Sequence, residues 1–213
     1  MKLMNEIPKQ NEVLKELYLK NSRLPKRYLE DATLFPVAED YEAFAKLKKV
    51  DENINIFVHQ GQNLLITSNE TGNGKTSWAA KILKSYINDW ACRFAFDDRT
   101  PALFINVPEF LAKKKLAIND PEIALEISEI EKCIFTSKLV VFDDIATKSA
   151  TQFEYDLLYM YINYRTNNLL TSIYTTNISK DRLAEELDER LADRIIGFSI
   201  TQVEFKSPSR RGN

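Results

Sequence analysis

The stretch Asn69-Glu70-Thr71-Gly72-Asn73-Gly74-Lys75-Thr76-Ser77 follows an apolar run, Leu64-Leu65-Ile66-Thr67, and opens an amphipathic segment from Trp78 to Trp90. A strand, a glycine-containing loop and a helix start, in that order, constrain the fold more than anything else in the chain, because together they form a cradle for phosphates. Such a cradle needs backbone N–H groups aimed inward, and Gly72 and Gly74 let the chain approach closely and adopt positive φ. A helix beginning near Thr76 adds unpaired N–H groups and the positive end of its dipole. Lys75 is placed to reach the outer phosphates of a nucleoside triphosphate, and the Thr76 hydroxyl to bind Mg²⁺. The consensus loop begins with Gly, where this chain has Asn69. Asn visits the left-handed region more readily than other non-glycine residues, so the turn is expected to survive with Asn69 in that conformation.

A second motif supports the first. Leu139-Val140-Val141-Phe142-Asp143-Asp144 reads as a buried strand ending in two carboxylates. In a phosphate-loop fold a parallel strand ending in Asp holds the metal, so Asp143 is the metal-side carboxylate, acting directly or through water. Asp144 is then the general base for an attacking water, a task more often given to the longer Glu, which predicts slow hydrolysis. The alternative is a strand followed by a turn-forming or N-capping Asp pair.

A chain of 213 residues with 44% hydrophobic content can bury one sizeable α/β core and little else. The formal charge of −2 argues against coating nucleic acid by bulk charge, so any such contact must be local. Cys92, Cys133 and the single His59 have no ligand or disulfide spacing, which excludes a zinc site and a disulfide framework and makes both cysteines packing residues of a reducing compartment. No signal-like core or membrane-length run is present, and a cytoplasmic location without membrane contact is expected.

Along the chain, Glu12 to Asn21 places Val13, Leu14, Leu17 and Tyr18 on one helical face, which could grip a partner or cap the chain's own core. A linker with Pro25 and Pro36 leads to a helix at Tyr41–Val50. Strands are predicted at Asn63–Thr67, Ala102–Val107, Leu139–Asp143, Leu170–Thr176 and Ile195–Phe205. Helices are predicted at Ser77–Trp90, Pro108–Lys115, Pro121–Phe135, Gln152–Arg165 and Lys180–Ala192. This alternation means a five-stranded, mainly parallel sheet with helices on both faces. The division expected is a short helical extension over 1–50, an ATPase core over 51–205 and a basic tail over 206–213.

Three further groups are candidates. Asn177 follows the strand at Leu170–Thr176, where a polar side chain beside the Asp143 strand can touch the γ-phosphate or its water. Arg190 and Arg194 lie four apart on one helical face, so either they serve a partner anion, such as a phosphate in a neighbouring subunit, or they pair with Asp188, Glu189 and Asp193. Lys113, Lys114 and Lys115, near Phe110, could hold single-stranded nucleic acid or simply match a helix C-terminal dipole.

Asn-Glu-Thr-Gly-Asn-Gly-Lys-Thr-Ser, Val-Val-Phe-Asp-Asp-Ile, Tyr-Thr-Thr-Asn and Glu-Arg-Leu-Ala-Asp-Arg-Ile together resemble the ATPase core of bacterial helicase loaders of the DnaC/DnaI type. Leu24-Pro25-Lys26-Arg27-Tyr28 and Ile162-Asn163-Tyr164-Arg165 extend the resemblance over most of residues 24–200. These are AAA+ ATPases that bring the ring-shaped replicative helicase onto single-stranded DNA. The resemblance implies ATP and Mg²⁺ as ligands, the replicative helicase and single-stranded DNA as partners, and side-by-side homo-oligomers when ATP is bound. It also implies that Asn177 is a sensor-1 residue, that Arg194 is the first and Arg190 the second candidate for an arginine finger, and that a C-terminal helical lid is missing. The short N-terminal extension suggests a reduced loader, such as a phage-encoded one, or docking by a single helix. The rival expectations are a nucleotide-switched module that captures a helicase or host loader without productive turnover, and a transposase-helper ATPase.

Overall fold

The computed structural model describes residues 6–30, 33–93, 99–146 and 151–209. Five strands form one sheet: β1 (Leu64–Ser68), β2 (Ala102–Asn106), β3 (Leu139–Asp143), β4 (Thr171–Thr175) and β5 (Thr201–Phe205). Their order is β2-β3-β4-β1-β5, and every pairing is parallel. β1, β3 and β4 are buried along their whole length, which explains why they read as unbroken apolar or small-residue runs.

Alternation along each strand feeds two apolar layers. Leu64, Ile66, Val141 and Ile173 point to the layer built with helices α1 (Glu6–Asn21), α2 (Tyr41–Glu52), α3 (Ile54–His59) and α4 (Lys75–Arg93). Leu65, Val140, Phe142 and Tyr174 point to the other, built with α5 (Val107–Leu116), α6 (Pro121–Thr136), α7 (Gln152–Asn167), α8 (Lys180–Glu186) and α9 (Glu189–Ala192). α1 and α2 therefore share a core layer with the sheet. β2 is an edge strand yet almost wholly buried, because the chain after α1 covers it: Phe104 N donates to the Ser22 carbonyl at 2.7 Å. After β5 no further helix occurs among the described residues, and the Lys206 and Ser207 amides bond the buried Asp40 carboxylate at 2.8 and 3.1 Å.

Several expectations are corrected. The helix Ile54–His59 had no counterpart in the sequence reading, and α1 starts six residues before Glu12. The face Val13/Leu14/Leu17/Tyr18 splits: Leu14 and Tyr18 are buried in the core, whereas Val13 and Leu17 are exposed. The single helix expected over Lys180–Ala192 breaks at Leu187, because the Asp188 carboxylate accepts from the amides of Arg190 and Leu191 and caps a new turn. The final strand starts at Thr201, since Asp193–Gly197 winds as a π-turn that buries Ile195. Cys92 is exposed and Cys133 half-buried, so Cys92 is not a packing residue. No described helix is long and apolar enough to cross a membrane.

Candidate nucleotide site

β1 ends at Ser68, the chain turns through residues 69–74, and α4 begins at Lys75. The turn is held from inside. Asn73 is fully buried; its side-chain amide donates to the Ser68 hydroxyl, which also accepts from the Glu70 amide at 2.9 Å. Gly72 and Gly74 have φ of 77° and 105°, conformations that side-chain-bearing residues rarely adopt. A Cβ on Gly74 would meet nothing within 4 Å, so that side of the loop is open. Asn69 is not among the residues with positive φ, which corrects the expectation of a left-handed Asn. Its side-chain Oδ1 instead accepts from the Ser179 amide at 3.2 Å, tying the loop to the chain after β4. Lys75 folds back on the loop, donating to the Glu70 carbonyl at 2.7 Å and the Asn73 side chain at 3.1 Å.

Across the loop stand the two carboxylates. Asp143, the last residue of β3, is 5% exposed and accepts from the Thr175 hydroxyl at 2.7 Å. Burial pushes its pKa up; hydrogen bonds from Thr175 and Thr76 oppose the shift, the Asp144 charge adds to it, and the Arg27 charge opposes it. Asp144 has φ 59°, a conformation uncommon outside glycine, and its amide donates to Thr175 Oγ1 at 3.0 Å. Asn177 Nδ2 donates to Asp144 Oδ1 at 2.8 Å. Burial raises the Asp144 pKa as well, against the Lys75 charge and the Asn177 hydrogen bond. The parallel β3–β4 register, Phe142 beside Tyr174, is what puts Thr175 and Asn177 next to the two acids.

A cleft of about 450 Å³ joins these groups, lined by residues 71–77, Asp143, Asp144 and Asn177. Arg27, Tyr28, Asn106 and Thr175 also line it, and sequence reasoning did not place them there. A signal for Asn106 existed: it ends β2 level with Asp143, and its side chain caps α5 by accepting from the Glu109 amide at 3.1 Å. Thr76 and Asp143 line the same cleft, and their oxygens are a hard donor set suited to Mg²⁺, which keeps its other positions for water and phosphate. The open loop, the helix N-terminus and Lys75 suit a polyphosphate.

The remaining candidates lie outside the cleft lining. Arg190 pairs with Asp156 and Asp188 and lies over the Tyr159 ring. Arg194 donates to Asn163 at 2.9 Å and to Asp193 at 3.0 Å and lies over the Phe198 ring. Each of the three lysines has a carboxylate partner: Lys113 with Glu109 and Glu126, Lys114 with Glu131, Lys115 with Glu154.

The direction of the Asp143 shift makes a prediction for the nucleotide-free protein. A carboxyl whose pKa is higher in the fold than in the unfolded chain stabilises the fold most at low pH, and that stability is lost as pH rises from the unfolded value through the folded one. Asp143→Asn should therefore raise the melting temperature at pH 7. The gain should vanish below the unfolded pKa of about 4. A melting temperature lowered at pH 7 would contradict it.

No family model matches the chain, and no curated protein matches it. Solved structures do. The crystal structure of the DnaC helicase loader superposes with a TM-score of 0.64 at 22% identity, over 85% of this chain and 100% of that one. That of DnaI gives 0.62 at 20% identity, over 89% and 95%. The replication initiator DnaA bound to AMPPCP and single-stranded DNA gives 0.62 at 14% identity, over 83% of this chain and 50% of that one. Sheet order, phosphate loop and strand-end carboxylates agree with these likenesses: the chain has the P-loop AAA+ fold.

Proposed function

We propose that this protein is an ATPase that loads a hexameric replicative helicase onto single-stranded DNA. The observation that carries the reading is the Asn177–Asp144 hydrogen bond facing the phosphate loop across one cleft, on a fold shared with a helicase loader. The loop amides and Lys75 bind the phosphates, and Thr76 and Asp143 hold Mg²⁺. When bound, the ion neutralises charge developing on the transferred phosphoryl oxygens. Asn177 orients Asp144 through Oδ1, leaving Oδ2 without a hydrogen-bond partner among the described residues and able to take the proton of the attacking water. Burial makes this carboxylate more basic, which suits the role.

Arg194 and Arg190, outside their own cleft, are the candidates to complete the cleft of a neighbouring subunit, which would make turnover depend on ATP-bound homo-oligomers. The extension over 1–50 would dock the helicase through the exposed Val13 and Leu17 of α1. A second reading is nucleotide-switched capture of a helicase or host loader without productive turnover; the ion-paired state of Lys113–Lys115, which leaves little free charge there for DNA phosphates, suits it better than loading.

DNA-stimulated hydrolysis tests the proposal. Single-stranded DNA should raise turnover more than duplex, and Arg194→Ala should lower it by about 10³-fold without weakening ATP binding. Stimulation by duplex alone would point to a transposase helper, and unchanged turnover in Arg194→Ala would remove the finger.

A further inference from the structure

The 3-10 turn Lys26–Tyr28 precedes the phosphate loop by about forty residues, yet Arg27 and Tyr28 line the same cleft as that loop and the two acids. Their position is well anchored. Tyr18 and Leu24 are buried in the layer that contains α4, and the Ser22 carbonyl accepts from β2. The Tyr28 ring lies 6.4 Å from that of Phe104, and Lys84 of α4 donates to the Glu30 carbonyl at 2.9 Å. The Arg27 guanidinium sits over the Tyr28 ring, 4.6 Å from its centroid, and has no carboxylate partner among the described residues. Arg190, by contrast, has two and Arg194 has one.

The charge balance of the cleft gives this arginine a task. Without it the lining would carry one cation, Lys75, against two carboxylates, a poor host for a polyanion. We propose that Arg27 is a second cation for the triphosphate, contributed in cis by the segment before the core, with Tyr28 holding the guanidinium in place by cation–π contact. The inference rests on the ATP reading of the cleft. An arginine suits this place because its planar fork bonds phosphate oxygens bidentately while its face stays on the ring, which a lysine cannot do. Because Arg27 follows closely on α1, its engagement would also tell that helix whether nucleotide is bound.

Titrating a fluorescent ATP analogue, and separately ADP, in Mg²⁺ into the wild type, Arg27→Met and Arg27→Lys tests this. Arg27→Met should weaken ATP by about tenfold or more, Arg27→Lys by less, with the urea unfolding midpoint unchanged in both because the side chain is exposed. Hydrogen exchange gives an independent readout: ATP should slow exchange of amides in residues 11–30 of the wild type and not of Arg27→Met. Wild-type affinity in Arg27→Met overturns the role of Arg27 and leaves the ATP reading intact. A wild type that binds neither nucleotide overturns both.

Discussion

Asp144→Asn should lower ATP turnover by roughly 10²–10⁴-fold, the span of a general base, while leaving ATP·Mg²⁺ affinity within about threefold. The separation follows from the division of labour in the cleft. In the proposed function, binding draws on the loop amides, Lys75 and the pair Thr76 and Asp143, none of which is Asp144. Asp144 is aimed by its own backbone, at φ 59°, and by one hydrogen bond from Asn177. Asn is almost isosteric with Asp and can still accept that bond, so geometry should persist while the proton acceptor is lost. Lys75→Ala is the complementary change and should abolish binding itself. Equal turnover in Asp144→Asn and the wild type, measured as phosphate release at saturating ATP, would remove Asp144 from the chemistry.

Arg165→Met should cost about 3–5 kcal/mol of stability, from buried acceptors worth about 1–3 kcal/mol each when left unpaired, read from the urea midpoint with an unchanged slope. Arg165 is fully buried, and burial lowers its pKa. It has no carboxylate partner among the described residues and is held by neutral oxygens. Nη1 donates to the carbonyls of Ile134 at 2.6 Å and Ser137 at 2.9 Å, Nε to the Ser172 hydroxyl at 3.0 Å, and Nη2 to the carbonyls of Thr171 and Lys138. One side chain thus bonds the end of α6, the entry to β3 and the entry to β4, where helix-terminal and loop carbonyls need donors. Met replaces the volume and removes these donors, although the Lys138 carbonyl keeps the Thr171 amide at 3.0 Å. Arg165→Lys keeps the charge but offers three donors at a point, so it should recover only part of the loss. β3 and β4 carry Asp143 and Thr175 at their far ends, so this staple also sets the register of the cleft. A cost below about 1 kcal/mol would show that the oxygens find other donors or water.

β1, β3 and β4 were legible because each is a short buried run bounded by polar residues, and the grouping of the loop with Asp143, Asp144 and Asn177 because these residues stand at strand ends and a helix start. What escaped the sequence depends on tertiary contact. Asp188 breaks a helical pattern only because its carboxylate captures two amides, a competition between cap and helix that periodicity does not register. Asn69 has a side-chain partner 110 residues away, at Ser179, and so has no need of a left-handed turn. Arg27 lay in a segment read as an extension, and nothing in local spacing brings it to the phosphate loop. Arg165 ended a predicted helix with nothing in the local spacing to mark it as a core residue, and only the meeting of α6, β3 and β4 buries it. The Lys113–Lys115 run was ambiguous for the same reason, because its partners Glu126, Glu131 and Glu154 come from α6 and α7.

The most direct test of helicase loading is light scattering after size exclusion of this protein mixed with the replicative helicase of its own source, with and without ATP·Mg²⁺. A complex of defined mass that deposits helicase on single-stranded DNA when ATP is present is expected. No complex under either condition would contradict helicase loading.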